Sequence, residues 1–473
     1  MPPVLPMGES GQAPLLLHAL CEAFGAAEVL TDQAIDERYK TDWSKATRAE
    51  PLAVLRPRDT ADLSRALAIC HQHGQPVTVQ GGMTGLVGGS QVNAGEIVIS
   101  LERLQGIEEI DPAASTMILW AGTPLQVAQQ AAEQAGLYVA VDLGARGSCQ
   151  IGGNISTNAG GNRVIRYGMM REQILGLEVV MADGTVINSL NKMLKNNAGY
   201  DLKQWFIGSE GTLGVITRAV LRLHPMPTES TAVLCALPDD QSVLTFLARA
   251  QQAAQASLLA FEVMWPAFYD FMTSRVPGNP KPIDVPGALT VLMECTTGAG
   301  GLSTQGLESL LEEAMESGEI VDAAIAQSGK ESEAFWRIRD SVSEFPLLWS
   351  PYTSFDVSLP IQRIGEFVTT LQQRLVEQLP NAESLYFGHI GDSNLHIAVH
   401  VPGPRETFPK AEIEREVYEL VRQFEGSVSA EHGIGTRKKQ WLGYSRKEEE
   451  IQLMRTIKQA LDPKNILNRG KVI

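Results

Sequence analysis

Two stretches far apart in this 473-residue chain hold the residue types of a metal-assisted proton transfer. The first is Leu385–His400, LYFGHIGDSNLHIAVH. Apolar runs flank Gly391-Asp392-Ser393-Asn394, a strong turn signal. A four-residue hairpin loop there pairs Ile390 with Leu395 and His389 with His396. Directly opposed residues share a sheet face, with Cβ atoms roughly 5 Å apart. Two imidazoles so placed can hold one divalent metal. His400 falls on the same face, one ladder step further. The second stretch is Ala430-Glu431-His432-Gly433. Neighbours in an extended segment point opposite ways. Glu431 can therefore supply a third ligand while His432 faces another part of the site. Taken alone, histidines in strands are more often hydrogen-bonded structural groups. His18, His71, His73 and His224 match no site motif and read as surface or structural.

Two glycine-rich loops lie about sixty residues apart, VQGGMTGLVGGS at Val79–Ser90 and LGARGSCQIGGNISTNAGGNR at Leu143–Arg163. Glycine lacks Cβ, so backbone N–H groups can close around phosphate oxygens. Two such loops can grip both phosphates of a dinucleotide. Neither is a Rossmann fingerprint, because no GxGxxG stands between a first strand and a helix with an acid about twenty residues on. There is no GxxxxGK[ST] loop either.

The motifs GGMTGLVGGS (Gly81–Ser90), DLGARGSCQIGGNISTNAGGNRVIRYG (Asp142–Gly168) and FIGSEGTLGVIT (Phe206–Thr217) resemble the FAD-binding domain of vanillyl-alcohol oxidase-type flavoproteins. With GHIGDSNLH and EHGIGTRK added, the chain resembles the FAD-dependent D-2-hydroxyacid dehydrogenases of the D-2-hydroxyglutarate and D-lactate dehydrogenase group. The likeness runs from about Pro51 onward. It implies an α+β protein with a two-subdomain FAD-binding domain, an α+β substrate or cap domain and a helical C-terminal segment. FAD contacts carry over to Gly81, Gly82, Thr84, Gly85, Leu86, Gly88, Gly89 and Ser90 in the first loop. In the second they carry over to Asp142, Gly144, Gly147, Ser148, Gly152, Gly153, Asn154, Thr157, Asn158, Gly160 and Gly161. Gly211, Ile216 and Asn468 complete the set, Asn468 being brought to the flavin ring by the returning tail.

The resemblance also implies that His389, His396 and Glu431 hold a divalent metal, usually Zn²⁺, and that His432 is the base. Oxidising a 2-hydroxyacid removes an alcohol proton and a hydride. A metal on the substrate oxygens lowers the hydroxyl pKa, His432 takes the proton, and the hydride passes to flavin N5. Arg339, in Phe335-Trp-Arg-Ile-Arg-Asp340, matches the family's substrate arginine, able to grip a carboxylate bidentately. Asn394 is a further substrate contact.

Two departures bear on substrate and cofactor. In 2-hydroxyglutarate enzymes an arginine, a threonine and a lysine meet the distal carboxylate. The corresponding residues here are Arg339, Ser343 and Ser354, so the lysine is gone. Phe345, Trp349 and Tyr352 are expected around the gap, favouring D-lactate or a larger, less polar acid. Met83 in the GGMTG turn offers no His or Cys for covalent attachment, so FAD is expected to be non-covalent.

The elements that must position these groups read as follows. Residues 1–50 form a Pro/Gly-rich start and a helix over Ala13–Phe24. Residues 51–228 form the FAD-binding domain, with a helix over Asp59–His73, a hairpin over Leu175–Ile187 and strands at Phe206–Ile207 and Val215–Leu223. Residues 229–409 form the cap, an antiparallel sheet with helices on one face and a strand within Glu319–Ile325. Residues 410–473 are helical and return to the flavin. The net charge of −16 excludes nucleic acid and anionic lipid as partners. No run of 18 apolar residues predicts a membrane span, and the first residues do not form a signal peptide. Five scattered cysteines without CxxC fit reduced thiols in a cytoplasm. The expected partners are a small D-2-hydroxyacid and an electron acceptor, either protein or quinone. Homodimers are expected by analogy with relatives. A D-2-hydroxyglutarate dehydrogenase, an O₂-using oxidase, a zinc hydrolase and a flavin-binding protein without turnover are the alternatives.

Overall fold

The computed structural model describes residues 12–43, 47–227, 229–297 and 301–473. The Pro/Gly-rich start before residue 12, and Thr228 at the expected domain boundary, lie outside them. The first sheet runs in the order Val29–Leu30, Ala53–Leu55, Ile97–Ser100, Val77–Gln80. Its last three strands are parallel, joined by a crossover helix over Thr60–His73. Asp59 caps that helix by accepting from Asp62 N, and Gly74, at φ +65°, closes it. The face predicted from spacing, Leu63, Ala66, Leu67 and Cys70, is the buried one.

A second sheet, antiparallel throughout, runs Ile107–Asp111, Thr116–Trp120, Val215–Arg222, Ile174–Val180, Val186–Ser189. Both sheets and the helix Gln12–Phe24 share one core. Phe206–Ile207 is not a strand. Phe206 ends a short helix, Lys203–Phe206, and left-handed turns at Gly208 and Gly211 delay the strand until Val215.

The third sheet has seven strands, ordered Asp322–Ile325, Glu229–Leu237, Leu289–Thr297, Leu258–Met264, Glu383–Gly388, Asn394–His400, Tyr352–Ser358. Helices cover both of its faces, not one. Val233, Cys235 and Leu237 pack with the helices Asp240–Ala254, Thr304–Glu316, Ile364–Gln378 and Lys410–Gln423. The alternate residues Ala232, Leu234 and Ala236 pack with Pro266–Ser274, Gly329–Asp340 and Phe345–Leu348. A sheet buried on both faces needs strands that are apolar at nearly every position, and every residue of Leu258–Met264 is buried.

The chain ends by crossing back. After the helix Glu448–Leu461, Ile466 and Leu467 enter the first core, and Val77 N donates to Ile466 O at 2.7 Å. Asp462, fully buried, fixes this turn by accepting from Ile466 N and Leu467 N at 3.0 and 2.8 Å and from Lys458 Nζ. Asp462→Ala leaves two buried N–H groups without an acceptor and removes the carboxylate from Lys458, whose ammonium keeps Thr212 O and Leu467 O. It should cost about 2–4 kcal/mol in denaturant unfolding and loosen the returning segment.

Candidate active site

The two glycine loops meet backbone to backbone. A Cβ on Gly82 would overlap the carbonyl oxygen of Ser148, and one on Gly161, at φ +111°, would overlap that of Asp142. The resulting cleft, about 150 Å³, is lined by Gly81, Gly82, Thr84, Gly85, Gly89, Ser90, Gly152, Gly153, Asn154, Thr157, Gly211, Ile216 and Asn468. Ser90 Oγ and Gln150 Oε1 line it too, buried and without a hydrogen-bond partner. Open space beside Gly85 and Gly153, together with these unmet polar atoms, suits a polar, phosphate-bearing cofactor such as FAD. IGGNIS is a helix, Ile151–Ser156, and not a loop, because Gly152 lets it approach Ala121 closely.

Leu86, Asp142, Gly144, Gly160 and Gly161 line an adjoining cavity of about 320 Å³. Four expected cofactor contacts line neither cavity. Gly88 packs against Thr436, Gly147 against Gln126 and Ser148 beneath Gly82, while Asn158 Oδ1 accepts from Arg171 N at 2.9 Å. These residues shape the loops that the others present.

Asn468 stands in the cleft wall as the motif implies. Its Oδ1 accepts from Val79 N at 3.0 Å and its Nδ2 donates to Glu210 O at 2.6 Å. Beside it, Lys471 Nζ donates to Thr78 Oγ1 and to Asn468 Oδ1, and burial brings that ammonium down to about 8. Glu210 was not foreseen, although it sits inside GSEGTLG. Its carboxylate accepts from Ile434 N and Gly435 N at 2.7 and 2.9 Å, and burial raises its pKa. Thr436 N and Arg437 N donate to Val87 O. The EHGIG segment is thus fastened directly onto the first glycine loop.

His389, His396 and Glu431 come together, their ligand atoms within 4.8 Å of one another. The predicted register is wrong by two residues. His396 lies opposite Phe387, and His389 begins a 3-10 turn over Ile390–Asp392 that Ser393, at φ +71°, closes. A slip of two preserves side-chain parity, so both rings stay on one face with centroids 5.2 Å apart. His400 points elsewhere, its Nδ1 hydrogen-bonded to Pro351 O.

Buried Glu262, also unforeseen, receives His389 Nδ1 on Oε1 and Arg339 Nε on Oε2 at 2.8 Å. Burial opposes its charge, yet His389 and Arg339 bring its pKa down to about 2. Arg339 Nη2 lies 3.0 Å from His389 Nε2. Arginine only donates, so Nε2 holds a lone pair, engaged here by Arg339, and a metal would compete with that contact for it. Burial holds the His396 imidazole well below its usual range, in the neutral form that ligation needs. Arg339 lines the cavity with three of its five N–H donors engaged, by Glu262, Asp340 and His389.

Asp356 organises the last part. Its Oδ2 accepts from Glu431 N and His432 N at 2.9 and 3.1 Å, and His432 Nδ1 lies 3.6 Å away. Burial disfavours this carboxylate, but His432 and Lys438 hold it well below the usual range. Glu431 turns toward the second glycine loop, where Gly161 N donates to its Oε1 at 3.2 Å. His432 lines the glycine cleft, the metal-candidate cavity and a third cavity beside Ser354. Asn394 lies on the His396 face of its strand, buried, with both amide atoms unpartnered, and lines none of the three. Tyr352 and Ser354 line the third cavity. Phe345 and Trp349 do not, being buried against Phe271 in the aromatic core, and Ser343 borders none of these cavities.

Known proteins resemble this chain over nearly its whole length. Residues 51–189 match the FAD binding domain family and residues 226–472 the C-terminal domain of FAD linked oxidases. The mitochondrial D-2-hydroxyglutarate dehydrogenase of Bos taurus is 37% identical over 456 residues, 96% of this chain and 83% of that protein. The D-2-hydroxyglutarate dehydrogenase of Xanthomonas citri pv. viticola is 37% identical over 458 residues, 96% of each chain. That of Stutzerimonas stutzeri is 34% identical over 97% of this chain and 99% of its own. Among solved structures, substrate-bound p-cresol methylhydroxylase superposes with a TM-score of 0.77 at 16% identity, over 99% of this chain and 98% of that one. Alkyldihydroxyacetonephosphate synthase superposes at 0.71 and 15% identity, over 96% of this chain and 84% of that one. The fold is therefore that of the vanillyl-alcohol oxidase-type flavoproteins, and the chain belongs to their FAD-dependent D-2-hydroxyacid dehydrogenases, in the D-2-hydroxyglutarate dehydrogenase group.

Proposed function

We propose that the chain oxidises a D-2-hydroxyacid to the 2-oxoacid with a divalent metal, Zn²⁺ by ligand type, on His389, His396 and Glu431, and with His432 as base. The carrying observation is the convergence of three ligand atoms in a cavity that His432 and the second glycine loop also line. When bound, FAD supplies the two-electron acceptor and the metal supplies a Lewis acid that lowers the hydroxyl pKa. The chain's own part is orientation and proton removal. His432 keeps Nδ1 toward Asp356, which leaves Nε2 to receive the alcohol proton. Glu262 fixes the tautomer and ring orientation of His389, the usual work of a carboxylate behind a ligating histidine.

FAD is read as non-covalent, because Met83 carries no nucleophile for attachment and Cys149 is buried, with its thiol pushed up by burial. The reduced flavin would pass its electrons to another protein or a quinone. Since Ser354 opens onto the third cavity and Phe345 and Trp349 lie in the core, the substrate is read as an acid larger than D-lactate.

Anaerobic addition of D-2-hydroxyacids should bleach the flavin, chelator should stop this, and Zn²⁺ should restore it. Bleaching that chelator leaves untouched would remove the metal from the mechanism. His432→Gln should lower kcat by about 10²–10⁴ while flavin content holds. Glu262→Gln should weaken metal retention about 10–100-fold in chelator competition. Acid precipitation should release the flavin into the supernatant, and a yellow pellet would mean a covalent bond.

A further inference from the structure

The third cavity is the largest of the three, about 690 Å³. It shares His432 and Leu86 with the metal-candidate cavity, and His432 and Val87 with the glycine cleft. Volumes of this order accommodate ligands well beyond a small acid. Ser354, exposed on the strand Tyr352–Ser358, forms part of one wall. Arg405, from the turn Arg405–Thr407, Lys410, which begins the helix Lys410–Gln423, and Arg437 bring three cations to the same space.

Their charge is little neutralised. Among the described residues, no carboxylate lies within 4.0 Å of the Arg405 or Arg437 guanidinium, and Lys410 faces Glu414 at 3.5 Å. Asp356, the other acid in the wall, is buried and already engaged by the Glu431 and His432 N–H groups. Three cations from separate elements line the same cavity in a chain of net charge −16 and make its field locally positive.

We infer that this cavity receives the substrate's tail, and that Arg405, Lys410 and Arg437 in its wall bind a second anionic group. The substrate class that follows is a D-2-hydroxyacid whose tail is longer than that of 2-hydroxyglutarate and ends in a carboxylate. This rests on the proposed oxidation of a D-2-hydroxyacid at His432. Arg437 also donates to Leu86 O on the first glycine loop, at 3.0 Å. Arg405 and Lys410 are therefore the residues to change.

The test compares D-2-hydroxyacids in pairs of equal length, one ending in carboxylate and one in methyl, from five carbons to eight. The readout is kcat/KM with an artificial dye as acceptor. The carboxylate-to-methyl ratio should rise with length. Arg405→Ala and Lys410→Ala should each lower it about tenfold for the longest pair, and Arg405→Lys should retain most of it. In the unaltered protein the ratio should fall as salt is added, a readout that does not depend on any variant folding. A ratio insensitive to salt and to both substitutions would overturn the inference, as would a ratio that peaks at five carbons. Methyl-ended acids that still reduce the flavin would then show that the oxidation stands without the tail site. If no acid of either kind reduced the flavin, the oxidation and the tail site would fall together.

Discussion

The buried carboxylate of Asp356 accepts hydrogen bonds from two consecutive backbone N–H groups, those of Glu431 and His432. Holding both from one side fixes a bend at Glu431 and His432, where an extended segment was expected. From this bend the two side chains leave in different directions. One goes to His396 and the second glycine loop, the other to the junction of the cavities. Lys438 Nζ, donating to Asp356 O, supports the same strand from beneath. A buried charge of this kind is tolerated because cations and N–H groups surround it. The geometry of the candidate metal ligand and of the candidate base is thus one constraint and not two.

The second constraint is close approach. Several glycines in the loops stand where any side chain would strike a carbonyl oxygen, as Gly82, Gly161 and Gly435 do. The cleft is therefore built from backbone, with few side chains to move. Glu210 then clasps the EHGIG segment onto this surface through Ile434 N and Gly435 N. The third sheet carries the histidines, the first two carry the glycine loops, and this clasp is one of the joints between them.

Much of the site was legible because its groups sit in compact motifs. His389 and His396 survive a register error of two, since side-chain direction has a period of two. The glycine positions were legible as a class, but not which ones face the cofactor, since loop–loop packing decides that. Gly88 and Gly147 pack against Thr436 and Gln126. Glu262 left only a faint trace, a single carboxylate in the apolar strand LLAFEVM. Its partners lie 77 and 127 residues away, beyond what local pattern reveals. Arg339 lines the cavity, and its buried carboxylate partner, Glu262, comes from that distant strand. Phe345 and Trp349 were misplaced for a similar reason. Aromatic residues near a pocket in sequence also serve to fill a core, and here Phe268 and Phe271 supply that core. Helices on both faces of the third sheet follow from strands apolar at consecutive positions.

Asn468 reaches Val79 across 389 residues of chain. Ribosomes build proteins from the N-terminus, so the two glycine loops exist long before Asn468 has been made. During synthesis the groove between them has one wall missing. The nascent chain must therefore keep that groove soluble and unblocked until Asn468 has emerged. Completion of the cleft is in this sense a late event of biogenesis, and a chain cut short before Asn468 would lack that wall however well its early domains had folded.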